Sequence, residues 1–179
     1  MCGKKKFMVL ETIDIPQADM LWDVVRVPEA VARGATTPEA IGTYIGRKGP
    51  RQGLYYTQAA RVLGLVDIDE ATGVLSLTPY GRVFVRYDRT SQRLGLRRLL
   101  RESEPTRSVL DALRARGALS LDEITQTLQQ IAPLADSTAQ RRARTISAWL
   151  VTAGLANRRG GQISYNPPLP STRGFLRSS

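Results

Sequence analysis

The sequence contains no histidine, and this absence excludes several kinds of chemistry at once. Without histidine there is no Ser-His-Asp or Cys-His catalytic arrangement, and the usual zinc sites cannot form. The chain also lacks a GxxxxGK[ST] loop that could bind a nucleotide phosphate. No pair of carboxylates is followed by a nearby lysine, as a metal-dependent nuclease would require. We therefore expect a protein that is not an enzyme, with no catalytic residues and no cofactor.

Cysteine and long apolar runs are scarce as well. A single cysteine, Cys2, excludes a disulfide within one chain, which suits a reducing compartment. The basic residues Lys4, Lys5 and Lys6 precede an apolar run of only Phe7–Leu10. That run is too short for a signal-peptide core or a membrane span. These features predict a cytoplasmic protein without a membrane partner.

The acidic residues offer little as a metal site. Asp67, Asp69 and Glu70 lie close together, but they fall in a predicted hairpin turn. Short acidic patterns in turns are weak signals and are usually solvated. We therefore expect no bound metal.

Positive charge, by contrast, is abundant. Lysine and arginine total 26 against 16 acidic residues, which gives a net charge of +10. Such a balance in a small chain favours a polyanionic partner. Nearly all of the charge is arginine, which can contact phosphates and guanine edges with two parallel hydrogen bonds. A GC-rich genome would produce the same preference for arginine, so the choice of residue does not by itself identify the partner.

The order of predicted elements occurs twice: three helices and then two short strands. In the first copy, residues 18–89, Thr37 is the expected N-cap of the second helix and Thr78 caps a further helix after the hairpin. The helices of this copy are expected at 18–34, 37–45 and about 51–63, and its strands at 65–68 and 74–77.

The second copy covers residues 104–166. Helices are expected at 104–117 and 134–154, with a capping box from Ser120 to Glu123 opening the helix between them. Ser137 and Gln140 are expected to form a second capping box. A hairpin follows around Gly160-Gly161.

Three helices followed by a hairpin wing are typical of a winged helix-turn-helix. The predicted fold class is therefore mainly α with small β-hairpins (α+β), arranged as tandem winged helix-turn-helix units. A basic connector helix, capped near Thr90 or Ser91, is expected to join the two copies. The predicted units are an N-terminal segment at 1–17, winged helix 1 at 18–89, the connector at 90–103, winged helix 2 at 104–166 and a flexible tail at 167–179.

The third helix of the first copy divides into two faces. In this fold the third helix enters the major groove, and the hairpin contacts the backbone or the minor groove. At 100° per residue the core face is expected to consist of Tyr56, Ala59, Ala60 and Leu63. The opposite face, flanked by Tyr55, is expected to consist of Arg51, Leu54, Gln58 and Arg61.

The third helix of the second copy divides in the same way. Its core face is expected to comprise Ala139, Ile146, Leu150 and Ala153, with Trp149 at the border. Arg142 falls on the core side, and a structural role with a nearby carboxylate is expected for it. The exposed face is expected to comprise Ser137, Arg141, Arg144 and Ala148, flanked by Gln140 and Thr145.

Base edges in the major groove suit arginine and glutamine, and an apolar side chain can meet a thymine methyl. The candidate DNA-contacting residues lie on the third helices, in the turn before the first of them and in the second hairpin. They are Arg47, Lys48, Arg51, Gln52, Leu54, Tyr55, Gln58, Arg61, Ser137, Thr138, Gln140, Arg141, Arg144, Thr145, Arg158, Arg159 and Gln162.

The stretch RQGLYYTQAARVLGLV, residues 51–66, followed by GVLSLTPYGRVFV, residues 73–85, resembles winged-helix modules associated with bacterial restriction endonucleases and related defence proteins. STAQRRARTISAWLVTAGL, residues 137–155, is similar to the second winged helix of such tandems. The likeness is carried by Arg51-Gln52, Tyr55-Tyr56, Leu63–Val66, Leu77-Thr78 and Gly81, and then by Arg141-Arg142, Ile146 and Trp149-Leu150. It covers about residues 18–166 and implies a DNA-recognition module of a restriction-type system. No nuclease domain accompanies the pair, so cleavage would require another domain or chain.

The expected partner is double-stranded DNA, read at a short site that is either unmodified or modified, with a nuclease domain or subunit as a second partner. A monomer or weak dimer covering an asymmetric site of about one helical turn fits this reading. The alternative is a transcription regulator or a plasmid or phage replication initiator, which a palindromic site and a stable dimer would favour. A third alternative is a protein-interaction scaffold, although its third helices would then be expected to be acidic.

Overall fold

The computed structural model of the protein describes residues 10–46 and 49–167. These residues form a mainly helical structure with two small antiparallel sheets, which confirms the α+β class. Arg47, Lys48, the first nine residues and the tail from 168 onward lie outside the described residues, and so do the predictions made for them. The helices are α1 (Leu21–Ala32), α2 (Pro38–Tyr44), α3 (Pro50–Val62), α4 (Pro79–Phe84), α5 (Arg89–Glu102), α6 (Thr106–Arg116), α7 (Leu121–Ile131) and α8 (Asp136–Thr152). The strands are β1 (Val66–Ile68), β2 (Leu75–Leu77), β3 (Ala118–Leu119), β4 (Ala156–Arg159) and β5 (Gln162–Tyr165).

Local capping defines the helices of the first copy. The Thr37 hydroxyl accepts a hydrogen bond from the Ala40 amide at the start of α2. The Thr78 hydroxyl accepts one from the Gly81 amide, 2.8 Å away, at the start of α4. Both caps have a proline in the first helical turn, where its missing N–H is no loss. The predicted N-caps are thus confirmed.

Helices α2 and α3 cross at a glycine. A Cβ at Gly53 would lie 1.8 Å from the carbonyl oxygen of Pro38. The backbones can therefore approach this closely only because residue 53 has no side chain. This contact sets the position of α3 against the rest of the first copy.

The second copy contains a strand that the sequence pattern did not predict. Short β3, between α6 and α7, pairs with β5, so the sheet order is β3-β5-β4. The capping box of Ser120 and Glu123 opens α7 as expected. The second predicted box is wrong: Ala135 is the N-cap of α8, so Ser137 already lies inside the first helical turn. Asp136 occupies that turn instead, where a carboxylate is favoured by the helix dipole, and it accepts a hydrogen bond from Gln129.

The connector is helical, as predicted, but it begins one residue earlier than expected. Asp88 is the N-cap of α5, and its carboxylate accepts a hydrogen bond from the Ser91 amide at 2.7 Å. This hydrogen bond lowers the pKa of Asp88. The prediction of a cap at Thr90 or Ser91 is wrong because aspartate at 88 already provides the acceptor. Leu96 and Leu100 are buried and form the inner face of α5.

The segment before α1 joins the two copies. The Trp149 indole Nε1 donates to the carbonyl of Ala18 at 2.8 Å, and the Leu10 amide donates to the carbonyl of Ile131 at 2.9 Å. On the other side, the Tyr56 hydroxyl of α3 donates to Asp19. Trp149 is fully buried rather than at the border of the core face. Buried residues from both copies consequently form one continuous core. Among the described residues, no helix is long and apolar enough to cross a membrane.

Candidate nucleic-acid interface

Helix α3 presents the predicted faces. Tyr56, Ala59, Ala60 and Leu63 are buried, whereas Arg51, Gln52, Leu54 and Arg61 are exposed. This face therefore lies at the surface of the protein, but both of its arginines, Arg51 and Arg61, contact other side chains of the protein.

Arg51 is held by the side chain one turn further along α3. Its Nε donates to the Tyr55 hydroxyl at 2.5 Å, and its guanidinium carbon lies 5.6 Å from the centre of the Tyr55 ring. Arg61 lies 4.0 Å from the Glu70 carboxylate in the hairpin turn, a pair that is too exposed to contribute much stability. Arg61 thus lies beside the wing, and Arg51 lies near the start of the helix.

Helix α8 carries a cationic exposed face. Ser137, Gln140, Arg141 and Arg144 are exposed, and Thr138 is half-buried. Thr145 is only 6% exposed, and its hydroxyl donates to the carbonyl of Arg141. Its predicted position on the exposed flank is therefore wrong. The reason is that Thr145 lies one turn before Trp149, on the side where α8 packs against the segment before α1.

The second hairpin extends this cationic surface. Arg158 and Arg159 on β4 and Gln162 on β5 are exposed, and they lie on either side of the Gly160-Gly161 turn. All three are candidate DNA-contacting residues that the sequence analysis chose from their position in the second hairpin.

Ion pairing divides the described arginines into two groups. The three arginines of α6, Arg98 alone among those of α5, and two others contact carboxylates: Arg26 with Asp23, Arg61 with Glu70, Arg98 with Glu102, Arg107 with Glu104, Arg114 with Asp111 and Arg116 with Glu123. Within the described part of the chain, no such pair includes Arg141, Arg144, Arg158 or Arg159. Within that part of the chain, the unpaired positive charge therefore includes α8 and the second hairpin, and also the connector, where Arg93, Arg97 and Arg101 have no ion pair either.

The two third helices meet. Leu54, Tyr55 and Gln58 of α3 and Arg142 of α8 line one cavity of about 100 Å³. Gln58 is half-buried there instead of being freely exposed. The two third helices are therefore neighbours at this cavity.

Arg142 is buried, as its place on the core side predicted. No carboxylate among the described residues pairs with it, so the expected ion pair is absent there. Burial, reinforced by the neighbouring charge of Arg141, lowers the pKa of the Arg142 guanidinium.

The connector adds a row of arginines. Arg93, Arg97 and Arg101 line an open groove of about 780 Å³ together with the end of α8. Arginines four residues apart rise about 6 Å per step along a helix. Rows of this kind are typical of phosphate contacts that do not read bases. The i, i+4, i+8 spacing was visible in the sequence.

Arg89 at the start of α5 makes a contact that no sequence signal indicated. Its guanidinium stacks on the Trp22 ring of α1, 3.3 Å from the ring centre. Arg89 therefore fixes the connector against the first copy, because arginine stacks favourably on aromatic faces.

Within the described residues, no group of histidine, cysteine, aspartate or glutamate is arranged to hold a metal ion. A family model described as a domain of unknown function (DUF7226) matches residues 24–152, more than half of the chain. This range begins inside α1 and ends with α8, so it includes both third helices but only the first hairpin. No curated protein and no solved structure matches the chain.

Proposed function

Because the chain belongs to the DUF7226 family, whose description assigns no activity, we propose its function from the geometry: it binds double-stranded DNA through two winged helix-turn-helix units. The unpaired arginines of α8 and its wing are the observation that carries this proposal. A cluster of cations without internal partners is favourable only where a polyanion or solvent balances it. Phosphates of duplex DNA provide that balance.

The topology of the two copies supports the winged-helix assignment. In the second copy, β3 lies between the first two helices and pairs with the second hairpin strand. In the first copy, the Leu75 amide of β2 donates to the carbonyl of Thr36, which also lies between the first two helices. In both copies, therefore, the connection between the first two helices is hydrogen-bonded to the second strand of the hairpin. This correspondence favours an internal repeat of one unit.

Helix α8 is the better candidate for the major groove. The groove is about 12 Å wide and admits one helix, so two adjacent helices cannot both enter it fully. Within the described chain, no ion pair includes Arg141 or Arg144, whereas Arg51 is held by Tyr55 and Arg61 lies against Glu70. We therefore assign base contacts to α8 and backbone contacts to Arg51 and to the arginines of α5.

The resemblance to restriction-associated modules supports a role in a restriction or defence system in the cytoplasm. The chain would recognise the site, and another domain or subunit would cleave it. The absence of histidine from the sequence favours recognition without catalysis.

The test is selection from randomised duplex DNA, with and without modified bases, followed by sequencing of the bound fraction. Arg141→Ala should weaken binding to the selected site by about 5- to 150-fold, the equivalent of a bidentate arginine–guanine contact of roughly 1–3 kcal/mol. Arg107→Ala is the matched control, because Arg107 is also exposed on a helix but is paired with Glu104.

Equal losses for the two variants, or no enrichment of any sequence, would contradict base reading by α8. A palindromic selected site bound by a stable dimer would favour a transcription regulator or replication initiator. An asymmetric site bound by a monomer would favour the restriction-type module.

A further inference from the structure

Arg142 is the only charged residue among the buried polar residues of the described chain. It is 4% exposed, and its Nε is buried without a hydrogen-bond partner in the described structure. All of the ion pairs within that part of the chain involve other arginines. Among the described residues, the guanidinium is therefore a buried cation without a counterion.

A buried cation without a partner lowers the stability of the folded protein. A buried charge without a partner destabilises a protein by several kcal/mol, and most side chains respond by becoming neutral. Arginine does not lose its proton under these conditions. An anion from outside the chain is the remaining way to compensate the charge.

The cavity beside Arg142 limits the chemistry of that anion. Its walls are mostly apolar and are formed by the segment before α1 and by α3. The lining residues besides Arg142 are Ile13, Ile15, Pro16, Gln17, Leu54, Tyr55 and Gln58. A phosphate would leave several acceptor oxygens against these apolar side chains, which is unfavourable. A carboxylate has two oxygens, both of which one guanidinium can bind, and it can carry an apolar body.

The volume limits the size of that body. An apolar cavity of about 150 Å³ in another protein is known to hold benzene. The cavity here is about 100 Å³ and opens to the surface beside Leu54, which is 41% exposed. Because the cavity is smaller than that one but open at its mouth, a short alkyl chain fits inside it, and a ring would extend through the mouth.

We propose that this cavity is a binding site for a small hydrophobic carboxylate, with the carboxylate on Arg142 and the apolar body against Ile13, Ile15 and Leu54. The site is separate from the proposed DNA contacts of α8, but it shares a wall with α3. Tyr55 lines the cavity and also holds Arg51 through its hydroxyl. A bound carboxylate would therefore change the position of Arg51 and couple ligand binding to DNA binding. Such coupling is reciprocal, so DNA would change the affinity for the carboxylate by the same factor.

The experiment measures binding of sodium benzoate and sodium hexanoate to the DNA-free full chain by calorimetry. Benzamide is the neutral analogue, and sodium phosphate is the anion without an apolar body. We expect benzoate or hexanoate to bind at least about 10-fold more tightly than either control, because a hydrogen bond to a charged group is lost with benzamide. Comparable binding of phosphate or of benzamide, or no binding of any probe, would overturn the proposal.

Two variants locate the site. Arg142→Gln should lower the benzoate affinity by about 10- to 100-fold, whereas Arg107→Gln, the same substitution at an exposed arginine of α6 that does not line the cavity, should leave it unchanged. Leu54→Trp fills the mouth of the cavity from an exposed position and should also abolish binding, which provides a test that does not require Arg142→Gln to fold. Unchanged affinity in Leu54→Trp would overturn the assignment of the cavity.

The outcome is independent of the proposed function. Benzoate binding to a chain that binds no DNA would support the carboxylate site and contradict the DNA-binding proposal. DNA binding by a chain that binds no carboxylate would support the DNA-binding proposal and contradict the carboxylate site.

Discussion

Gly53→Ala is expected to destabilise the protein, although alanine favours a helix more than glycine does. The added Cβ would lie 1.8 Å from the Pro38 carbonyl oxygen, 2.8 Å from the Pro38 carbonyl carbon and 3.0 Å from the Gly42 amide nitrogen. Ordinary contact begins at 3.4 Å, so α2 and α3 would have to separate by about 1.6 Å. All three obstructing atoms belong to the backbone and cannot rotate away.

The two opposing effects have different magnitudes. Overpacking costs roughly 1–3 kcal/mol and occasionally more, and a rigid backbone obstacle places this site at the upper end. Helix propensity returns at most about 1 kcal/mol. We expect a net loss of about 2 kcal/mol, which corresponds to a decrease in Tm of about 4–8 °C for a chain of this size.

Urea unfolding followed by circular dichroism measures the loss. Gln52→Ala is the matched control, because Gln52 is the exposed neighbour on the same helix and its substitution should change the stability by no more than about 0.5 kcal/mol. A Gly53→Ala variant as stable as the wild type would refute the close crossing of α2 and α3.

Further predictions concern the core, the pH dependence and the DNA contacts. Trp149→Phe should lower the free energy of unfolding by about 1–3 kcal/mol, because the buried Ala18 carbonyl loses its donor; an unchanged urea midpoint would contradict this. Hydrogen bonds from Ser120 lower the pKa of Glu123, so its carboxylate stabilises the fold above the unfolded-state pKa, and this contribution disappears as the pH falls through the folded-state pKa. Glu123→Gln should therefore lose less stability than the wild type on going from about pH 6 to about pH 3, and parallel pH profiles would argue against it. Arg144→Ala should reduce the slope of log affinity against log salt by about 0.9; an unchanged slope would mean that Arg144 contacts no phosphate. The isolated chain should not cut duplex DNA with Mg²⁺, and nicking that a chelator abolishes would prove this wrong.

Features that depend on a few neighbouring residues were predictable from the sequence. Thr37 and Thr78 cap their helices as expected, because an N-cap contact reaches only two or three residues along the chain. The buried face of α3 followed from its 3.6-residue periodicity. Local reasoning was wrong where two acceptors competed, as at the start of α5, where Asp88 caps in place of Thr90 or Ser91.

Features that join distant parts of the chain were decided only by the tertiary structure. The Trp149–Ala18 hydrogen bond spans 131 residues, and no local pattern indicates that the segment before α1 covers α8. Thr145, which the helical wheel placed on an exposed flank, is buried one turn before Trp149. Strand β3 has two residues, too few to show an alternating pattern, and it exists because β5 provides its hydrogen-bond partners.

The candidate site also has features that were predictable from the sequence and features that were not. The sequence by itself determined the positive charge and which faces of the third helices carry arginine, since both follow from composition and helical spacing. It could not determine that the two helices adjoin, that Tyr55 holds Arg51, or that Arg142 is buried with no carboxylate of the described residues beside it. Those properties depend on which surfaces the folded chain brings together. The sequence shows that residue 142 is a charged arginine, but its need for a counterion arises only from its burial in the folded protein.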